Sequence, residues 1–185
     1  MVATTTTRPP PTSAECIAAM PVATRVGQVL MPVVDQGGLM AVADLAGRGL
    51  VAGAVVVEPV DEALGDAIAS VQAVSATGPL VMAVDEEGGT VQRLDGLLGD
   101  MQSARHMAGL PLNEVRALAR GRAEAMAGLG FTMNLAPVVD VGSGPGIGSR
   151  SFSGDPLLVA TFGSAVAHGV LDAGRTPVAK HFPGH

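Results

Sequence analysis

The sequence has no tryptophan and no tyrosine, and aromatic residues make up only 2% of it. A chain with so few aromatic platforms is poorly equipped to stack bases, which argues against recognition of nucleic acid. Its net charge of −6 argues the same way against a polyanionic partner. Cys16 is the single cysteine, so no internal disulfide can form. No apolar run reaches the length needed to span a bilayer, because Gly, Pro or charge interrupts each one. What is present is aliphatic. Hydrophobic residues fill 48% of the 185 positions, so Val, Ala, Leu and Met must build the core of one domain, or of part of a larger one.

The chain opens on MVATTTTRPPPTSAEC, rich in Thr and Pro. It lacks a charged segment followed by an apolar core, so as it stands it is not a signal peptide. Such a stretch is expected to be extended and solvated. Residues 1–20 are therefore expected to form a disordered tail, and residues 21–185 to fold. The tail is similar to the spacer that follows the signal or lipid anchor of an exported protein. That points to export or to the cell envelope, with a cytoplasmic protein carrying an ordinary tail as the alternative.

Beyond the tail, helical and strand patterns alternate. A short helix is expected over 21–28, with Arg25 and Gln28 facing water, and a first strand over 29–34. Leu39, Val42, Leu45 and Ala46 recur at helical spacing, and Gly47 and Gly49 stop that helix. The run VAGAVVV (51–57) reads as a buried strand, 63–74 as a helix, and 80–84 as a third strand after Gly78–Pro79. Residues 95–112 look irregular, with a short helix near 103–108. Asn113 suits an N-cap, and a long amphipathic helix follows, with Gly130 past its end. A fourth strand is expected over 131–136 and a Gly-rich loop over 137–155. A helix should then start at Pro156 and end near Ala173, before a fifth strand over 176–180. Strands separated by helices imply parallel pairing through helical crossovers. An open doubly wound sheet and a (β/α)8 barrel both fit. A complete barrel takes about 250 residues, so five strands make an open sheet or an incomplete barrel.

Charged and polar residues collect where strands end: Asp35, Glu58, Asp85 with Arg93, Asp140 with Arg150, and Lys180 with His181. In parallel α/β folds the carboxyl ends of strands are where ligands bind. The densest case is LVMAVDEEGGTVQRL (80–94), a buried apolar run that switches at once to Asp85, Glu86, Glu87 and two glycines. Carboxylates there must be solvated, paired or used. Each residue also has a plain structural reading. Arg93 would pair with Glu86 or Glu87, Arg150 would brace Asp155, and the Lys180–His181 pair would be satisfied by Asp85 or Asp140.

The segments AVDEEGGTVQRL (83–94), FTMNLAPVVDV (131–141), IGSRSFSGDP (147–156) and PVAKHFPGH (177–185) together make the chain recognisable. From about residue 25 onward it resembles the N-terminal barrel domain of glycoside hydrolase family 3. The KHFPGH form resembles the bacterial β-N-acetylglucosaminidase (β-hexosaminidase) branch. The resemblance implies an incomplete TIM (β/α)8 barrel, roughly the first five strands with their helices. It implies a retaining glycosidase that releases terminal β-linked N-acetylglucosamine from peptidoglycan-type or chitin-type glycans, with no cofactor. Asp85 would accept hydrogen bonds from two sugar hydroxyls, and Arg93, Arg150, Lys180 and His181 would complete the pocket. Thr90 departs from the basic residue that relatives often carry there. The acid/base His and the nucleophilic Asp of this branch lie further along the chain than His185. No catalytic residue is therefore assigned within 1–185, and His185 matches the loop histidine of the motif. The chain is expected to bind sugar and to lack a complete catalytic apparatus. It reads as a truncated frame or partial record, and the alternative is a non-catalytic sugar-binding remnant.

Two further readings are weaker. His181 and His185 with Asp140 have metal-ligand chemistry, but Pro183 and Gly184 break the helix that would put both imidazoles on one face. GSGPGIG (142–148) is Gly-rich yet misses both nucleotide-binding spacings.

Overall fold

The structure, a computed structural model, describes residues 10–142 and 144–185. Most of the Thr-rich start of the expected tail lies outside the described residues. Its remainder includes a helix, α1 (Ser13–Ala19), which corrects the expectation of an unbroken extended segment up to residue 20. A capping box explains it: the Thr12 hydroxyl accepts from the Glu15 N–H, and the Glu15 carboxylate accepts from the Thr12 N–H at 2.8 Å. None of its residues is buried, so local capping rather than burial holds this helix.

Helix α2 (Val22–Gly27) leads to strand β1 (Val33–Val34), then α3 (Leu39–Gly47), β2 (Gly53–Val56), α4 (Leu64–Ala73) and β3 (Val81–Val84). Two short helices follow, α5 (Asp95–Leu98) and α6 (Ala104–Met107), and then the long α7 (Leu112–Gly128). Strand β4 (Met133–Asn134), α8 (Pro156–Asp172) and β5 (Thr176–Pro177) complete the chain. The five strands lie in sequence order, all parallel. A doubly wound sheet reverses its strand order at a switch point. Here nothing reverses, so the fold is an α/β arc of the (β/α)8 type.

Several strands are shorter than their apolar runs. Residues 29–32 leave the sheet because Pro32 has no N–H to give, although its carbonyl still accepts from Val55 at 2.9 Å. Helix α7 starts at Leu112 behind Pro111, which makes no side-chain cap, so Asn113 falls in the first turn and is not the N-cap. Asp155 caps α8, accepting from the Leu157 N–H at 2.8 Å, with Pro156 in the first turn.

Two apolar clusters hold the arc. One joins α3 and α4 to β2 and β3 through Leu39, Val42, Leu64, Ile68, Val71 and Met82, all almost fully buried. The other joins α6, α7 and α8, with the Phe152 and Phe162 rings stacked at 5.9 Å. Gly169 lets α8 approach α7, since a Cβ there would lie 2.4 Å from the Arg116 carbonyl oxygen.

Candidate active site

Strand β3 delivers Asp85, Glu86 and Glu87 to the C-terminal end of the sheet, and β4 locks them there. Asn134 donates from Nδ2 to the Glu86 carbonyl at 2.9 Å and accepts the Glu86 N–H on Oδ1 at 3.1 Å. The chain then turns sharply at Gly88 (φ +90°), where a Cβ would sit 2.2 Å from the Gln102 carbonyl oxygen. Only glycine fits that approach.

Lys180, the only lysine in the sequence, ends the segment after β5 and donates to Asp85 and to Glu87 Oε1, the latter at 2.6 Å. A 3₁₀ turn (Gly148–Arg150) presents Arg150, which forks onto Glu87: Nε to Oε2 at 2.8 Å and Nη2 to Oε1 at 2.9 Å. Such bidentate pairs are directional and strong. Its Nη1 donates to the Gly146 carbonyl at 2.8 Å. His181 Nδ1 lies 2.6 Å from Asp140 Oδ2, and its Nε2 lies 3.3 Å from Arg150 Nη2. With Nδ1–H donating to the carboxylate, Nε2 is the acceptor for the guanidinium in the neutral ring.

Burial pushes the Asp140 carboxyl up. The hydrogen bonds from the His181 ring and from the His185 and His181 N–H groups outweigh it and hold the group below its ordinary range. Burial pushes Glu86 the other way, above the ordinary range, against the opposing hydrogen bond from the Arg93 N–H and the attraction of Arg122. Four of the five residues singled out from sequence thus meet in one network: Asp85, Lys180, Arg150 and His181. Arg93 stands beside it. Its Nη1 pairs with Glu58 at 3.0 Å, its backbone N–H goes to Glu86, and its buried Nε has no protein partner.

The plain structural readings were right in kind and partly wrong in partner. Arg150 holds Glu87 and not Asp155, which is occupied as the α8 cap. The Arg93 side chain reaches Glu58 and neither Glu86 nor Glu87. Glu87 is the hub that sequence reasoning undervalued, because three adjacent acids gave no sign of which would be buried between two cations. His181 and His185 do approach each other, ring to ring at 4.9 Å. However, Asp140 meets the His185 backbone and not its ring, and among the described residues no group of three ligands could hold a metal.

The glycosyl hydrolase family 3 N-terminal domain matches residues 24–185. The chain belongs to glycosyl hydrolase family 3. A beta-hexosaminidase, LpqI, of Mycobacterium tuberculosis is 48% identical over 124 residues, covering 64% of this chain and 32% of that protein. The solved structure of M. tuberculosis LpqI matches with a TM-score of 0.81 at 38% identity, over 93% of this chain and 51% of that one. A family 3 glycosyl hydrolase of Mycobacterium smegmatis matches with a TM-score of 0.82 at 38% identity, over 91% of this chain and 52% of that one. The family 3 chain therefore spans about a third of the length of the curated relative and about half of the solved ones. Among the described residues no helix is long and apolar enough to cross a membrane.

Proposed function

We propose that this family 3 chain carries the sugar-gripping part of a retaining β-N-acetylhexosaminidase. Such an enzyme releases terminal β-linked N-acetylglucosamine from peptidoglycan-type or chitin-type glycans. Asp85 accepts hydrogen bonds from two hydroxyls of the terminal sugar, and Arg93, Arg150, Lys180 and His181 complete the pocket. The observation that carries this reading is the run of alternating charges Asp85–Lys180–Glu87–Arg150 at the C-terminal end of a parallel sheet. A sugar hydroxyl both donates and accepts, so a site for it needs fixed groups of both signs. The names of the relatives, beta-hexosaminidases, support the same substrate class.

Retaining hydrolysis needs a nucleophile and an acid/base on either side of the bond. The carboxylates at this end are already engaged. Asp85 and Glu87 hold Lys180, Asp140 holds His181, and Glu58 holds Arg93. Glu86 is buried beneath the loop. We therefore assign binding and orientation to these residues, and bond cleavage to an acid/base His and a nucleophilic Asp outside residues 1–185. The same engagement favours the second reading, a sugar-binding chain without hydrolytic function.

Calorimetric titration with N-acetylglucosamine tests the assignment. Asp85→Ala should weaken binding at least tenfold, which is about 1.4 kcal/mol. Equal affinity in the variant and the unaltered chain would overturn the site. Turnover of an aryl N-acetylglucosaminide by the 185-residue chain alone would overturn the division of labour.

A further inference from the structure

Glu86 is the one acid of the strand-end run that sugar binding leaves unused. Its side chain is 0% exposed. Oε2 accepts from the Arg93 N–H at 2.9 Å and the Leu94 N–H at 3.1 Å. Among the described residues Oε1 has no hydrogen-bond partner, and it faces Arg122 Nε across 3.7 Å. Arg122 rises from α7 with its side chain 8% exposed. Its Nη2 donates to the Gly99 carbonyl at 2.6 Å, while its buried Nη1 has no partner among the described residues. Both side chains line one small cavity, with about 20 Å³ open to a water centre. Buried polar atoms in proteins are nearly always satisfied, and a cavity of that size with Glu86 and Arg122 on its otherwise largely apolar wall suits one water.

We propose that this cavity binds a single ordered water, which accepts from Arg122 Nη1 and donates to Glu86 Oε1, and that the resulting bridge positions the sugar-contacting loop. The bridge ties three places together: the exit of β3 at Glu86, the chain at Arg93–Leu94, and the turn at Gly99. All three are fastened to α7 through one guanidinium. Asp85 lies just before this loop and Arg93 within it. The effect on sugar binding rests on the proposed sugar site, and the bridge itself does not. Glu86 and Arg122 are thus positioning residues, two side chains removed from solvent that fix others facing it.

Amide hydrogen exchange on the full chain tests the bridge. Arg122→Met removes the bridging donor and the counter-charge beside Glu86 Oε1. Exchange at the Arg93 and Leu94 amides should rise by roughly tenfold, while the Val166 amide in α8, a reporter of global opening, stays unchanged. Adding Glu86→Gln removes the stranded charge and keeps an oxygen for both N–H groups. Exchange should then return to within about threefold of the unaltered chain. Affinity for N-acetylglucosamine should fall and recover in parallel. Unchanged exchange in Arg122→Met, a double variant worse than the single one, or an equal rise at Val166 overturns the bridge. Should Arg122→Met fail to fold, a high-resolution crystal structure of the unaltered chain decides. A water within hydrogen-bond distance of both atoms supports the proposal, and a dry cavity or a direct Nη1–Oε1 contact overturns it. If exchange behaves as expected but Asp85→Ala has no effect on sugar binding, the sugar site fails and the bridge stands.

Discussion

At the C-terminal ends of β3 and β5 the chain sets Asp85, Glu87, Arg150 and Lys180 against one another, whereas just before β1 and β2 it lines a groove with Val26, Leu30, Met31, Leu45 and Leu50. The first end is ordered by paired charges. The second carries no charge in its lining and presents Val26 and Leu30 about half exposed. In a (β/α)8-type arc the helices cover the outer face and leave both ends of the strands open. One end holds fixed polar groups where a ligand can meet them. The other shows apolar surface of the kind that usually contacts further protein.

The largest way to break this contrast is Gly53→Ala, at the first residue of β2. A Cβ there would sit 1.8 Å from the Val81 carbonyl oxygen, so the strands must part. Urea unfolding should show a loss on the order of 4 kcal/mol, with sugar affinity unchanged in whatever fraction remains folded. Arg150→Ala comes next and acts at the opposite end. It leaves Glu87, whose side chain is 4% exposed, with Lys180 as its remaining cation, and should remove about 2 kcal/mol of stability together with sugar binding. An Arg150→Ala protein that unfolds earlier but binds sugar normally would separate stability from recognition at this end and sink the comparison.

A smaller effect is confined to acid. Asp140 titrates below its ordinary 3.8 when folded, so its contribution is complete above that value and is lost as pH falls through the folded value. Glu86 titrates above its ordinary 4.5, so its contribution is complete below that value and is lost as pH rises through the folded one. Melting temperatures recorded across an acid titration should therefore fall less steeply towards acid in Asp140→Asn, and the opposite slope should weaken in Glu86→Gln. The smallest effect belongs to the apolar end. Val26→Ser should change stability by less than about 0.5 kcal/mol, and lower self-association in sedimentation runs.

The sequence was informative wherever local chemistry is decisive. Pro156 in the first turn of α8, Gly130 past α7, and the apolar run before Asp85 each specified an element, because turns and burial act within a few residues. Boundaries were less legible. Pro32 shortened β1 by removing a donor, and Pro111 moved the start of α7 ahead of Asn113, since both depend on which backbone groups find partners in space. Tail and helix were confused at residues 13–19 because Thr12 and Glu15 form a capping box that a compositional reading overlooks.

The site divided in the same way. Asp85, Arg150, Lys180 and His181 were legible as strand-end charges, and the structure brings these four together. Their partners were not. Asp85 and Lys180 are separated by 95 positions, and Arg150 and Glu87 by 63, so only the closing of the arc could bring them into contact. The sequence alone determined an aliphatic α/β chain with parallel strands and polar strand ends, because those follow from periodicity and composition. Tertiary structure alone decided that Glu87 is the hub, that Glu86 turns inward to Arg122, and that Arg93 leans on Glu58. Three neighbouring carboxylates are chemically equivalent until packing gives each a different dielectric and a different cation.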